Sequence, residues 1–214
     1  MIAINDIHTH RADAASAVIS VNPWEFVPRQ GRVYSVGIHP WQAAEAGKVA
    51  LESLSQLATR DDVVMIGECG IDKLRGGAVE CQVELVKCHA ALSERQRKPL
   101  VLHCVRASNE LCQLRRSLRP VQPWIIHGFR GNANVARQLL DAGFFLSYGE
   151  RFNAEAVNAT PPGRLLAETD ESPAPIKEIY ANIAECRHES FAVTASVIER
   201  NIAELLSRCV SVEK

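Results

Sequence analysis

The chain has 214 residues, 47% hydrophobic and 23% charged, enough to bury one sizeable core at a length that barrels commonly use as a single domain. A net charge of −1 and a pI near 6.7 exclude the broad basic field that gives nonspecific affinity for duplex nucleic acid, although a phosphate held by cations needs no such field. No run approaches the roughly 18 to 20 apolar residues of a membrane span, and Met1-Ile2-Ala3-Ile4-Asn5 lacks the basic head and apolar stretch of a signal peptide, so we expect one cytoplasmic domain over residues 1–214.

Short apolar runs predict strands at residues 2–7, 17–21, 33–38, 63–67, 100–103, 124–127, 144–148 and 165–168. Helices are expected at 48–59, 79–97, 108–118, 134–142 and 153–158, with two more at 176–186 and 191–209. Val79, Val83, Val86 and Ala90, and likewise Leu111, Leu114 and Leu118, recur at three or four positions and mark core-facing stripes. Strand and helix alternating this way give a parallel sheet covered on both faces, and eight strands close most simply as a TIM-type (β/α)8 barrel of the α/β class. About nine residues separate the first two strands, and Asn22-Pro23-Trp24-Glu25-Phe26-Val27-Pro28 leads to the third without helical period. A parallel crossover needs a dozen or more residues. The barrel is therefore expected to be trimmed or distorted around its first two to three strands.

Five histidines fall where these strands run out: His8, His10, His39, His103 and His127. In Asp6-Ile7-His8-Thr9-His10 the alternation of side chains puts both imidazoles on one face, in reach of a single cation. Glu68 ends the buried run Val63-Val64-Met65-Ile66, where a carboxylate must be paired, metal-bound or neutral. Asp170 follows Leu165-Leu166-Ala167-Glu168-Thr169, with capping of the next helix as its plainer role. Catalytic groups of barrel enzymes come from the C-terminal ends of several strands. Four histidines and two carboxylates exceed the three protein ligands of one catalytic zinc, so two divalent ions are the natural count, with zinc, manganese, magnesium and iron all compatible. His89 and His188 lie on expected helices and read as packing or surface residues. Trp24, Trp41 and Trp124 could stack on bases, with Trp41 the best placed. The seven cysteines form no Cys-x-x-Cys pair and read as reduced thiols. Cys69 and Cys104 adjoin Glu68 and His103 but should point to the opposite strand face.

The sequence resembles the TatD-type metal-dependent deoxyribonucleases, a branch of the amidohydrolase-like barrels. The resemblance is carried in order by Asp6-Ile7-His8-Thr9-His10, Val36-Gly37-Ile38-His39-Pro40, Ile66-Gly67-Glu68-Cys69-Gly70-Ile71-Asp72, the His103 strand, His127-Gly128-Phe129 and Glu168-Thr169-Asp170. It implies His8, His10, Glu68, His103, His127 and Asp170 as metal ligands, with Glu68 bridging and Asp170 also orienting the attacking water as general base. His39 is then a neighbour of the substrate. The implied activity is phosphodiester hydrolysis on DNA ends or single strands, or on a small phosphoester, with no obligate protein partner evident.

The chain departs from the family pattern at the mouth. Cys104-Val105-Arg106 follows His103 where members often carry Ser-Arg-Asp or Ser-Arg-Glu, and Asp170-Glu171-Ser172-Pro173 replaces Asp-Ala-Pro. Arg106, Arg130 and Lys73 are candidates for substrate contact there. Two alternatives stay open: an amidohydrolase acting on a small ester, amide or phosphoester, and a barrel that binds metal without turnover. Relatives of the first kind commonly bridge their ions with a modified lysine, and this chain offers Glu68 instead.

Overall fold

The computed structural model describes residues 3–207. Eight parallel strands form one sheet in sequence order: β1 (Asp6–Thr9), β2 (Ala17–Val21), β3 (Val33–Val36), β4 (Val63–Asp72), β5 (Leu100–Val105), β6 (Trp124–Ile126), β7 (Phe145–Tyr148) and β8 (Leu165–Ala167). β8 returns to β1 through the bridge Thr9–Asp170, which nearly closes the barrel. Helices α1 (Lys48–Leu57), α2 (Val79–Gln96), α3 (Ser108–Leu118), α4 (Ala133–Asp141), α5 (Ala154–Ala159), α6 (Ile176–Cys186) and α7 (Phe191–Ser207) accompany the later strands.

The trimming read from the sequence is present. Among the described residues no α-helix lies between β1 and β2, and the connection from β2 to β3 contains only the 3-10 turn Pro23–Glu25. The early wall of the barrel is thus thin, and the ends of β2 and β3 are open to the rim. The sequence placed the first strand too early: it begins at Asp6, which sets His8 inside the strand instead of beyond it. Residue 2 of that expected strand and residues 208 and 209 of the last expected helix lie outside the described residues.

β4 is the larger surprise. It runs ten residues to Asp72, five beyond the apolar run that announced it. Polar residues continue it because the chain around Glu68 is glycine-rich and lies tightly against β5. A Cβ on Gly67 (φ +120°) would stand 2.4 Å from Val101 O, and one on Gly70 (φ +150°) would stand 2.1 Å from His103 O. Those glycines admit the neighbouring strand. The β4–β5 register shifts between Ile66 and Cys69, around Glu68.

The core is one cluster from strand and helix faces, with Val36, Met65, Ile66, Leu100, Leu102, Ile125 and Leu146 fully enclosed. Each buried aliphatic of this size contributes roughly 1.5–3 kcal/mol. On α2 the expected stripe packs inward, with Val86 and Ala90 buried and Val79 and Val83 partly so, whereas on α3 Leu111 and Leu114 are buried but Leu118, at the end of the helix, is exposed. Asn132 caps α4, its side-chain oxygen accepting the N–H groups of Asn134 and Val135 at 3.1 Å. No helix among the described residues is long and apolar enough to cross a membrane.

Candidate metal centre

The rim is built where the barrel closes. Asp170 N–H donates to His8 O at 3.0 Å, and His10 N–H donates to Asp170 O at 3.1 Å, so the backbone of β1 positions the aspartate between its own two histidines. Asp170 has φ +53°, a left-handed conformation that aspartate tolerates better than most residues. It is not a helix cap, since α6 begins at Ile176 after Pro175. Below it, buried Asp6 accepts Thr169 N–H at 3.0 Å and Thr169 Oγ1–H at 2.6 Å. Burial pushes the Asp6 carboxyl up to about 6 against those hydrogen bonds.

Glu68 is the centre of the site. Its Oε1 lies 2.7 Å from His127 Nε2, 2.9 Å from His103 Nδ1 and 3.1 Å from His39 Nε2. Its Oε2 lies 3.4 Å from both His8 Nε2 and His10 Nε2. Asp170 Oδ1 stands 3.7 Å from His8 Nε2 and 3.6 Å from His10 Nε2. Four groups with ligand atoms mutually within 4.8 Å result: His8, His10 and Asp170; His39, Glu68 and His103; His8, Glu68 and His127; and His127, Glu168 and Asp170.

Electrostatics follow from this crowding. Burial opposes ionisation of Glu68, but the charge of His127 and hydrogen bonds from His10, His103 and His127 outweigh it and hold the carboxyl well below its ordinary range. Burial likewise disfavours a proton on His127, yet Glu68 and Glu168 raise it well above the usual imidazole value. Glu168 is fully buried, its Oε1 taking Gly128 N–H at 2.6 Å and facing His127 Nδ1 at 3.3 Å. That contact turns His127 Nε2 toward Glu68, the carboxylate–histidine arrangement that orients metal-binding imidazoles.

The residues fit a cation. His8 is fully buried with neither ring nitrogen hydrogen-bonded, and His103 Nε2 is also buried without a hydrogen bond. Such orphaned nitrogens are costly unless a partner satisfies them. Imidazole and carboxylate donors converging on one space suit zinc, manganese or iron, and the clusters fit metal binding.

Two clefts flank the cluster. The first, about 290 Å³, is lined by Ser20, Asn22, Glu25, His39, Trp41 and Glu171 besides the cluster. The second, about 430 Å³, is lined by Arg106, Ser108, Phe129 and Arg130. The structure thus gathers all six candidate ligands, brings His39 into the same shell, and sets Arg106 and Arg130 beside them. Lys73 is the exception: its Nζ pairs with Glu110 on α3, and it lines neither cleft. The thiols of Cys69 and Cys104 belong to none of the ligand groups.

Sequence reasoning passed over three supporting residues. Glu168 stands at the end of a buried strand two residues before Asp170, a signal as clear as that for Glu68. Asp72 lies four residues after Glu68, an even spacing that shares its strand face. Its Oδ2 accepts Trp41 Nε1–H at 2.8 Å and faces His103 Nε2 at 3.5 Å. Burial opposes its ionisation, but the bonds from Trp41 and Leu74 N–H and the charge of His103 keep the carboxyl below its usual value. His89 is fully buried, not superficial: Nδ1–H donates to Leu85 O at 2.8 Å and Nε2 accepts Ile38 N–H at 3.0 Å, anchoring the segment that carries His39. Only the packing of α2 beside the segment that follows β3 reveals that role.

Comparison with known proteins identifies the family. The family model of TatD related DNase matches residues 20–207. A metal-dependent hydrolase named TatD from Mycobacterium tuberculosis is 30% identical over 81% of this chain and 72% of its own length. The metal-dependent hydrolase YabD of Bacillus subtilis is 26% identical over 85% of this chain and 80% of its own. A Klebsiella pneumoniae relative named 3'-5' ssDNA/RNA exonuclease TatD is 27% identical over 80% of this chain and 75% of its own. The solved structure of YJJV, a TATD homologue from Escherichia coli, superposes with a TM-score of 0.85 at 21% identity, covering 97% of this chain and 99% of that one, which shows the shared fold. With nearly the whole described barrel matched, the chain belongs to the TatD related DNase family of metal-dependent hydrolases.

Proposed function

We propose that the protein is a two-cation phosphodiesterase that acts on DNA ends or single strands. The observation that carries this reading is Glu68, one buried carboxylate whose two oxygens each face a different set of imidazoles, Oε1 toward His39, His103 and His127 and Oε2 toward His8 and His10. That is the disposition of a bridging ligand. His8, His10 and Asp170 would hold one ion, His103 and His127 the other. When bound, such a pair supplies an attacking water acidified toward neutral pH and neutralises charge on the phosphoryl group.

The chain's own residues supply the rest. Asp170, partly open to solvent at the rim, orients the water and takes its proton as oxygen adds to phosphorus and the bond to the leaving oxygen breaks. His39, its Nδ1 accepting Trp41 N–H and its Nε2 facing Glu68, lies on the wall of the first cleft beside the substrate. Arg106 and Arg130 hold the adjoining phosphate from the second cleft, as guanidinium groups do well. The names of the Klebsiella pneumoniae and Pantoea ananatis relatives, 3'-5' ssDNA/RNA exonuclease, favour nucleic acid over a small phosphoester.

The test is cleavage of end-labelled single-stranded DNA by protein loaded with Mn²⁺, Zn²⁺ or Mg²⁺, beside a simple phosphodiester. Metal-dependent shortening of the DNA, abolished in His103→Ala without loss of fold, is expected. No hydrolysis of either compound with any of the three metals would overturn the reading.

A further inference from the structure

The three tryptophans occupy three different situations. Trp124 is fully enclosed in the core against Phe144. Trp24 is 52% exposed, and among the described residues nothing hydrogen-bonds to or stacks on its ring. Trp41 is also 46% exposed, yet it is held on several sides. Its Nε1–H donates to Asp72 Oδ2 at 2.8 Å, the Arg75 guanidinium lies over the ring at 4.7 Å, and the His39 ring meets it edge-on at 4.6 Å. Arg75 is not part of the cleft lining, so it braces the indole from outside, while Trp41 lines the first cleft.

The brace is itself rigid. Asp72 Oδ1 accepts the N–H groups of Leu74 and Arg75 at 2.8 and 3.2 Å. Buried Gln82 takes Asp72 N–H at 2.7 Å and donates to Asp72 O at 3.1 Å. The Asp72 oxygen that fixes the indole also faces His103 at 3.5 Å, so the aromatic wall is held in register with the cluster. An exposed aromatic ring already ordered this way loses little freedom when a flat partner lies against it.

Charge divides the two clefts. Glu25 and Glu171 line the one that contains Trp41, whereas Arg106 and Arg130 line the other. The cluster itself also lines the first cleft, but beyond it the fixed charges there are those of Glu25 and Glu171, so the backbone running on from the phosphate is favoured in the second cleft, which leaves the first for an uncharged, flat group attached to the phosphate being cleaved. Its volume of about 290 Å³ suits one such group, and a base still paired in a duplex could not present its face there. We infer that Trp41 is the stacking wall for one unpaired nucleobase adjoining the scissile phosphodiester, and that Asp72 is the positioning residue that holds the indole in place. This rests on the phosphodiesterase reading above.

The experiment compares two short single-stranded oligonucleotides, one with every base present and one with abasic sugars at both terminal positions. Each is tested with wild type, Trp41→Ala and Trp41→Phe. Binding is read by fluorescence anisotropy in chelator, and kcat/KM is read with Mn²⁺. Wild type should prefer the complete oligonucleotide by between about fivefold and a hundredfold, the worth of one base–aromatic stack. Trp41→Ala should remove that preference in both readouts, the complete strand losing more than the abasic strand, and Trp41→Phe should keep part of it. Asp72→Asn should reduce the preference less than Trp41→Ala. If Trp41→Ala weakens both strands equally or neither, the inference falls while the hydrolytic reading stands. If wild type cleaves neither strand, the hydrolytic reading falls, and anisotropy still decides whether Trp41 recognises a base.

Discussion

Replacing Glu168 by glutamine isolates the contribution of a buried charge that touches no substrate. Glu168 is fully enclosed, its Oε1 accepting Gly128 N–H at 2.6 Å and facing His127 Nδ1 at 3.3 Å. Glutamine fills the same volume, so the packing of β8 is preserved. What changes is the hold on His127. A neutral amide no longer strengthens the imidazole as a donor, and if its nitrogen turns inward the ring is driven to the tautomer that carries a proton on Nε2, the atom directed at Glu68. Loss of such an outer partner weakens metal binding by about 10- to 100-fold, or about 1.4–2.8 kcal/mol. Calorimetric titration of metal-free protein with Mn²⁺ or Zn²⁺ measures this directly, and the melting temperature of the metal-free variant checks that the fold survives. A variant that melts like wild type and binds both metals within twofold of wild-type affinity would refute the orienting role.

Two further outcomes test the scaffold that holds the site. Burial lowers the His89 pKa to about 4 in the folded protein, against an unfolded value near 6.5. A base with a depressed folded pKa contributes stability that is present above the unfolded value and is lost as pH falls toward the folded one, so wild type should lose about 2 kcal/mol through this group between pH 7 and pH 5. Denaturant unfolding at the two pH values should show the gap between wild type and His89→Gln narrowing by that amount, and a constant gap would contradict it. Asn201 is nearly buried on α7, with Nδ2–H groups donating to Pro162 O at 2.6 Å and Leu165 O at 2.8 Å. Asn201→Ala leaves both carbonyls without that donor and should cost about 2 kcal/mol, seen as a lowered urea midpoint with an unchanged slope.

The sequence was most legible where one physical rule acted alone. Alternation along β1 was enough to put His8 and His10 on one face, and the charge of Glu68 at the end of a buried apolar run was enough to mark it. The missing helices around β2 followed from a connection too short to hold them. What stayed hidden depended on contacts between distant segments. The continuation of β4 to Asp72 needs the close packing of Gly67 and Gly70 on β5, which apolar patterning does not report. His89 looked like any helical histidine because its partner, Ile38 N–H, is 51 residues away. Lys73 looked like a mouth cation until α3 brought Glu110 to meet it. Glu168 and Asp72 were visible as charges in strand-end motifs, but their tasks became readable only when His127 and His103 were seen beside them.

The central claim, that the rim holds two cations across Glu68, is tested most directly by the metal content of protein purified without chelator and equilibrated with Zn²⁺ or Mn²⁺. Elemental analysis together with anomalous diffraction at the metal edge should find two ions per chain on either side of the Glu68 carboxylate, and fewer than two in Glu68→Gln. One ion or none in wild type, or two retained in Glu68→Gln, would contradict the account.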